Sequence, residues 1–251
     1  MGQRLPELVR NYSKYSSLMD ASKQTGSVDL SRITWIYPTT FLPLICEFVR
    51  DQSLDMKLPE DQKVRDYIST LIQRRPGQDC CATYLPYSTF PVDKKHFDPI
   101  MDHICNLAGE VDKTGNFRYI LGELSDNVYQ HSKFNFAAAT AQKYPSKGFM
   151  EFCILDDGIT IGGSLRDVGY EYDDTEAIDQ ALNGLSSKIS IERGYGLGES
   201  IEYFINEQKG EVFIASGNGG LYMSGNEREP LKFILKEKYC GTLISARIEL
   251  H

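Results

Sequence analysis

GELSDNVYQHS, residues 122–132, places a carboxylate (Glu123), a carboxamide (Asn127) and an imidazole (His131) at intervals of four. Four residues is slightly more than one helical turn, so on a helix these polar side chains share one face. Leu121, Leu124 and Val128 form a separate apolar stripe, which predicts a helix from about Asn116 to His131 with its polar face turned from the core. Taken alone, that polar face reads equally well as a solvated surface. The flanking chain decides between the two.

Upstream, FDPIMDHICNLAGEV (residues 97–111) predicts another helix, separated from the first by DKTG. Downstream, GFMEFCILDDG (residues 148–158) reads as a hydrophobic strand running into a turn. A glycine- and acid-rich connection follows, from residue 159 to 193. Within it DDTEAIDQALNG predicts a short helix with Asp174 as cap and Asn183-Gly184 as stop. GLGESIEYFINEQKG predicts a helix ended by Gly210. Four strands are expected over roughly the last forty residues (EVFIAS, GLYMS, LKFILKEKY and GTLISARIEL), with SGNGG as a turn between the first two. The fold class is α/β, with helices on a mainly antiparallel or mixed sheet.

The first ninety residues have a different pattern. SVDLS and ITWIY read as a short strand segment, a helix is expected from Pro38, and LDMKLP reads as another strand. EDQKVRDYISTLIQRR is amphipathic, with Val64, Ile68, Leu71 and Ile72 on one stripe. RRPGQD breaks it, and TYLPYSTFPVD (residues 83–93) reads as a proline-punctuated connection. This predicts two units, residues 1–93 and 94–251.

Composition excludes several classes of function. The chain has 251 residues with a net charge of −8 and no basic stripe, so no sequence-independent grip on nucleic acid is expected. The longest apolar run, FLPLICEFV (residues 41–49), holds Pro43 and Glu47 and is too short to cross a bilayer. Pro6 stands where a myristoylation motif wants a hydroxyl. The six cysteines show neither CxxC nor zinc spacing and read as reduced thiols of a cytoplasmic protein without membrane association.

Three motifs carry chemistry. RGYGLGES (residues 193–200) is a glycine-rich turn before a helix, where close backbone approach and a positive helix end suit phosphate. Its plain alternative is a tight turn, and its spacing matches neither the dinucleotide fingerprint nor the Walker loop. ILDDGITI (residues 154–161) ends a strand in acid and glycine. A partly dry carboxylate there accepts a hydrogen bond from the adenine amine and disfavours guanine, although Asp-Gly turns are common between strands. On the helix, the Asn127 oxygen suits magnesium, and Glu123 can orient or deprotonate an attacking hydroxyl.

In order and spacing these motifs resemble the GHKL superfamily of ATPases (gyrase-type, histidine-kinase-type and MutL-type). ELSDNVYQHS resembles the N box. Asp156, Asp157, Gly158, Ile159 and Thr160 resemble the D-x-G-x-G box, with Thr160 in place of its second glycine. Gly194, Tyr195, Gly196, Leu197 and Gly198 resemble the G-x-G-L-G box, and Gly241-Thr242 resembles the kinase-type glycine-threonine before the last strand. The resemblance implies a two-layer α/β sandwich with ATP and Mg2+ between helices and sheet, under a lid at residues 163–193. It makes Glu123 the catalytic base, Asn127 the magnesium ligand and His131 a phosphate contact. Asp156 would read adenine in a pocket shaped by Gly158, and Thr242 would be a further nucleotide contact. The G-x-G-L-G glycines would wrap the triphosphate, while Lys188 and Arg193 either reach phosphate from the lid or stand as solvated lid charges.

The N-terminal part resembles, more distantly, the STAS domain of anti-sigma-factor antagonists through VDLSRITWIYPTTFL. Thr39 matches that family's phosphoacceptor serine, but Tyr37-Pro38-Thr39-Thr40 replaces its Asp-Ser-Ser-Gly, so a small regulatory or interaction module is the expectation. None of the four histidines lies in the first ninety residues, so histidine autokinase activity is not expected. The expected function is that of a signal-transducing regulator. It would be a Mg-dependent ATPase or protein serine/threonine kinase acting on a regulatory protein partner, with a homodimer left open. The alternative, favoured by Thr160, is a degenerate GHKL fold kept for protein–protein interaction.

Overall fold

The computed structural model describes residues 4–73, 83–109, 116–186 and 197–250. Among the described residues are eight helices, a five-stranded antiparallel sheet and a separate parallel strand pair. None of these helices is long and apolar enough to cross a membrane.

The first helix, α1 (Glu7–Thr25), is not among the elements expected from the residue pattern. Gly26, at φ 71°, ends it by returning its N–H to the Ser22 carbonyl at 2.7 Å. A β–α–β unit follows: β1 (Ser27–Asp29), α2 (Pro38–Arg50) and β2 (Asp55–Lys57), with Ser27 opposite Asp55 in parallel register. ITWIY adds no strand; it leads into α2 with Trp35 stacked on Tyr67. α3 (Gln62–Gln73) buries Val64, Ile68 and Leu71, while Ile72 is exposed.

The expected connection at residues 83–93 contains β3 (Tyr84–Thr89), an edge strand of the main sheet. Pro86 is tolerated because an edge strand has one unpaired side. Next come α4 (Asp98–Ala108), α5 (Asn116–His131), β4 (Ala137–Tyr144), β5 (Phe149–Asp156), α6 (Ile161–Arg166), α7 (Asp174–Leu182) and α8 (Leu197–Glu207). Two long strands finish the sheet, β6 (Glu211–Ser224) and β7 (Leu231–Glu249), giving the order β3-β4-β5-β7-β6. They replace the four strands expected. SGNGG is no turn but an irregularity inside β6, where Gly217 takes φ 61° and the register against β7 shifts.

Side-chain alternation along the strands explains the layering. On β5, Met150, Phe152 and Ile154 join the core under α4, α5 and α8, whereas Cys153 and Leu155 join a second core with α1, α2 and α3. β6 behaves likewise, Val212 and Ile214 facing one core and Phe213 and Ala215 the other. Both faces of the sheet are therefore covered, in three layers rather than two. The boundary expected at residue 93 does not separate two cores, because the N-terminal helices cover the back of the sheet.

A buried ion network pins that back layer. Glu151 on β5 is fully buried; its Oε1 accepts the Thr39 backbone N–H at 2.9 Å and the Thr39 hydroxyl at 2.6 Å. Its Oε2 accepts Arg247 Nε–H at 2.7 Å. Arg247 Nη1 lies 2.8 Å from Glu7 on α1, and its guanidinium stacks 4.4 Å from the Phe149 ring centre. Burial alone would lower the Arg247 pKa, but Glu151 and Glu7 outweigh it and hold the group charged. Thr39, fully buried within this network, has no hydroxyl exposed for phosphoryl transfer, in line with the loss of the Asp-Ser-Ser-Gly motif around it.

Candidate functional site

The even-numbered face of β5 ends at Asp156, opposite Thr242 on β7, at the mouth of the front layer. A cavity of about 280 Å³ opens there. Its α5 wall carries Glu123, Asn127 and His131, so the interval of four does set them on one face. Leu124, Val128, Ile154 and Ile244 provide apolar floor and walls, and Ile161, Leu165, Ala181, Leu185 and Leu197 close the far side.

Asp156 is 3% exposed. Burial pushes its carboxyl up to about 7, and Asp157 adds repulsion. The Gly158 N–H (2.9 Å), the Thr242 N–H and the Ser132 hydroxyl favour the charged form and limit the rise. Asp157 has a structural duty, accepting the backbone N–H groups of Asn135 and Phe136 at 2.9 and 2.8 Å. Those two bonds fix the start of β4 against the turn that follows β5.

Gly158 does not line the cavity but is required by it. A Cβ there would lie 1.9 Å from the Ser132 carbonyl oxygen, which accepts the Ile159 N–H at 2.6 Å. The end of α5 and the turn after β5 thus pack backbone to backbone. Gly241, at φ 108°, does the same on β7, where a Cβ would lie 2.1 Å from the Asp156 carbonyl. Gly198 opens α8 against α7, a Cβ there falling 1.6 Å from the Leu182 carbonyl.

Thr160, in place of a glycine of the resembled motif, would strain the turn only if that position needed positive φ. Instead it sits at φ −67° as N-cap of α6, its hydroxyl accepting the Gly163 N–H at 2.9 Å, in a conformation that a β-branched residue adopts freely. In α7 the cap is Asp173, one residue before the expected Asp174; Asp174 accepts the Asn218 N–H at 2.8 Å and ties α7 to β6. Ile178 of α7 belongs to the front core, so this part of the expected lid is anchored.

Leu197 and Thr242 line the cavity as expected. Lys188, Arg193, Gly194, Tyr195 and Gly196 lie outside the described residues. The sequence reading missed Ser132, Ser164, Leu165, Ala181 and Leu185, which also line the cavity. Ser132, the residue after His131, carried a usable signal in its hydroxyl, as did Ser164; Leu165, Ala181 and Leu185 are ordinary core types whose role depends on docking. Among the described residues the lining holds no Lys or Arg, and no group of three or more His, Cys, Asp or Glu could hold a metal ion.

Comparisons of the chain with protein-family models, curated proteins and solved structures returned no match.

Proposed function

We propose that this cavity binds ATP with Mg2+ in the manner of the GHKL ATPases, and that the chain is a regulator that hydrolyses ATP or transfers its γ-phosphoryl group to a protein serine or threonine. One observation carries the reading. Glu123, Asn127, His131, Asp156, Leu197 and Thr242 come from three separated motifs and the β7 pair, and all line one cavity that has a buried carboxyl at its strand end.

In this reading the ionised Asp156 accepts the adenine 6-amino hydrogen, with the apolar floor of Ile154 and Ile244 against the ring. The hard oxygen donors toward the phosphates are the Asn127 amide and the Glu123 carboxylate, one turn apart. Without a protein cage, a magnesium ion would take Asn127 plus phosphate and water oxygens, neutralising phosphate charge. His131 contacts phosphate from the same helix. Glu123 accepts the proton of the attacking water or hydroxyl as its oxygen bonds the γ-phosphorus and the bond to the β-phosphate oxygen breaks. The N-terminal layer serves as the regulatory half, packed on the back of the strands that carry Asp156 and Thr242.

Thr160, which favoured a degenerate fold, is unstrained, so that alternative loses its motive. The test is calorimetric titration of Mg-ATP into the native chain and into Asp156→Asn. Loss of the charged contact should weaken binding on the order of ten- to a hundredfold. Glu123→Ala should keep binding and lose phosphate release or transfer. A folded native chain that binds no ATP would end the proposal.

A further inference from the structure

The polar groups beside Asp156 are hydroxyls, which both donate and accept. Ser216 Oγ, on β6, lies 3.1 Å from the Gly241 carbonyl oxygen and 3.1 Å from Thr242 Oγ1, and it accepts the Ile161 N–H at 2.9 Å. Its single proton therefore has two acceptors. Given to Thr242, it leaves the Thr242 hydrogen free to point into the cavity. Given to Gly241, it lets Thr242 donate to Ser216 and turn a lone pair to the cavity. Ser132 beside Asp156 has the same ambivalence.

Little else fixes the charge of Asp156. From its own turn Asp157 faces it, and from β7 Tyr239. Glu123 and His131 share the cavity from α5. Arg50 on α2 lies 3.9 Å from Asp157 and makes no such approach to Asp156. Among the described residues no lysine or arginine lines the cavity.

Resting on the nucleotide reading above, we infer that the base end of this cavity takes two classes of purine nucleotide: 6-amino purines when Asp156 is ionised and 6-oxo purines when it is protonated. With adenine, the carboxylate accepts the 6-amino hydrogen while Thr242 donates to N1 and accepts from Ser216. With hypoxanthine, the carboxylic acid donates to O6 and Thr242 accepts the N1 hydrogen. Thr242 then donates to Ser216, which donates to Gly241. The polar edge of the base is matched in both states, and the cost of adenine is confined to the Gly241 carbonyl, which gives up the Ser216 proton to Thr242. The carboxyl value of about 7 brings the two states within reach near neutrality.

ATP and inosine triphosphate, each with magnesium, differ only at this edge of the base. Their affinity ratio cancels every effect of His131, Glu123, the phosphates and the metal. Calorimetric titration of both at about pH 5.5 and about pH 8.0 should shift the ratio toward inosine triphosphate by at least tenfold at the lower pH. In Asp156→Asn, whose amide both donates and accepts, the ratio should be equal at the two pH values. A native ratio that does not move, or a shift retained in Asp156→Asn, overturns the inference while leaving ATP binding intact. Binding of neither nucleotide at either pH removes the nucleotide reading and this inference together.

Discussion

Replacing Asp156 by Asn should stabilise the unliganded protein, and by an amount that grows with pH. An unfolded aspartate titrates near 3.9, whereas burial holds the folded Asp156 at about 7. Between those values the folded chain binds the extra proton, so native stability falls as pH rises from about 4 to about 7, by up to about 1.4 kcal/mol per pH unit, and is flat above. Over about three units the ionised form costs about 4 kcal/mol, a large share of a typical net stability of about 5–15 kcal/mol. Asparagine keeps the shape and an acceptor for the Gly158 N–H but has no charge to bury. Urea unfolding of both proteins, without nucleotide, at half-unit steps from about pH 4 to about pH 9 reads the difference directly. The two curves should meet near pH 4 and separate by about 4 kcal/mol above pH 8. Parallel curves would mean that the ionised carboxylate is not penalised by its surroundings, and the account of the cavity's electrostatics would fail. The same substitution is expected to weaken ATP binding, so stability and binding should move in opposite directions.

Two glycines form a matched pair. Gly122→Ala, inside α5 with open space around its Cβ, should gain about 0.5–1 kcal/mol, whereas Gly158→Ala, driven against the Ser132 carbonyl, should lose about 3 kcal/mol; equal thermal shifts would refute the close-approach argument. In the back layer, Arg247→Met alone should cost about 3–5 kcal/mol by leaving the buried Glu151 without a counterion, and Glu151→Gln should cost less because Arg247 keeps Glu7. The double variant should recover most of it, and strictly additive losses would show that the pair is not coupled. Asp157→Ala should cost about 1–3 kcal/mol through the orphaned N–H groups of Asn135 and Phe136, visible as a lower urea midpoint.

The elements legible in the sequence were those with a local signature. The α5 periodicity, the β5 run into Asp156 and the Gly184 stop all lie where expected. α1 escaped because its buried face mixes Leu8, Val9, Tyr12 and Tyr15 with the polar Asn11, Ser16 and Ser22 and begins without a side-chain N-cap, which blurs the apolar stripe. β4 escaped because AAATAQKY looks like a helix former; alanine is used there since helices approach the sheet closely from both sides. Pro86 disguised β3, and the glycines of SGNGG disguised a strand irregularity as a turn. For the site, chemistry-bearing residues could be read because spacing fixes their shared face. The apolar walls could not, because Leu165, Ala181 and Leu185 reach the cavity only once α6 and α7 have docked. Nor did any local pattern reveal that FMEFCIL, apolar at nearly every position, is a strand covered on both faces.

That double cover limits how the chain can be divided. A fragment beginning at residue 94 would contain every motif that suggested a nucleotide site. It would lack β3, leaving the β4 edge unpaired, and would bare Ala138, Cys153, Leu155, Phe213, Ala215 and Leu243 to water, together with a Glu151–Arg247 pair stripped of Thr39 and Glu7. A contiguous greasy surface beside an open strand edge invites self-association. Expressed alone, the half that holds the chemistry should aggregate, and co-expression with the first 93 residues should return it to solution.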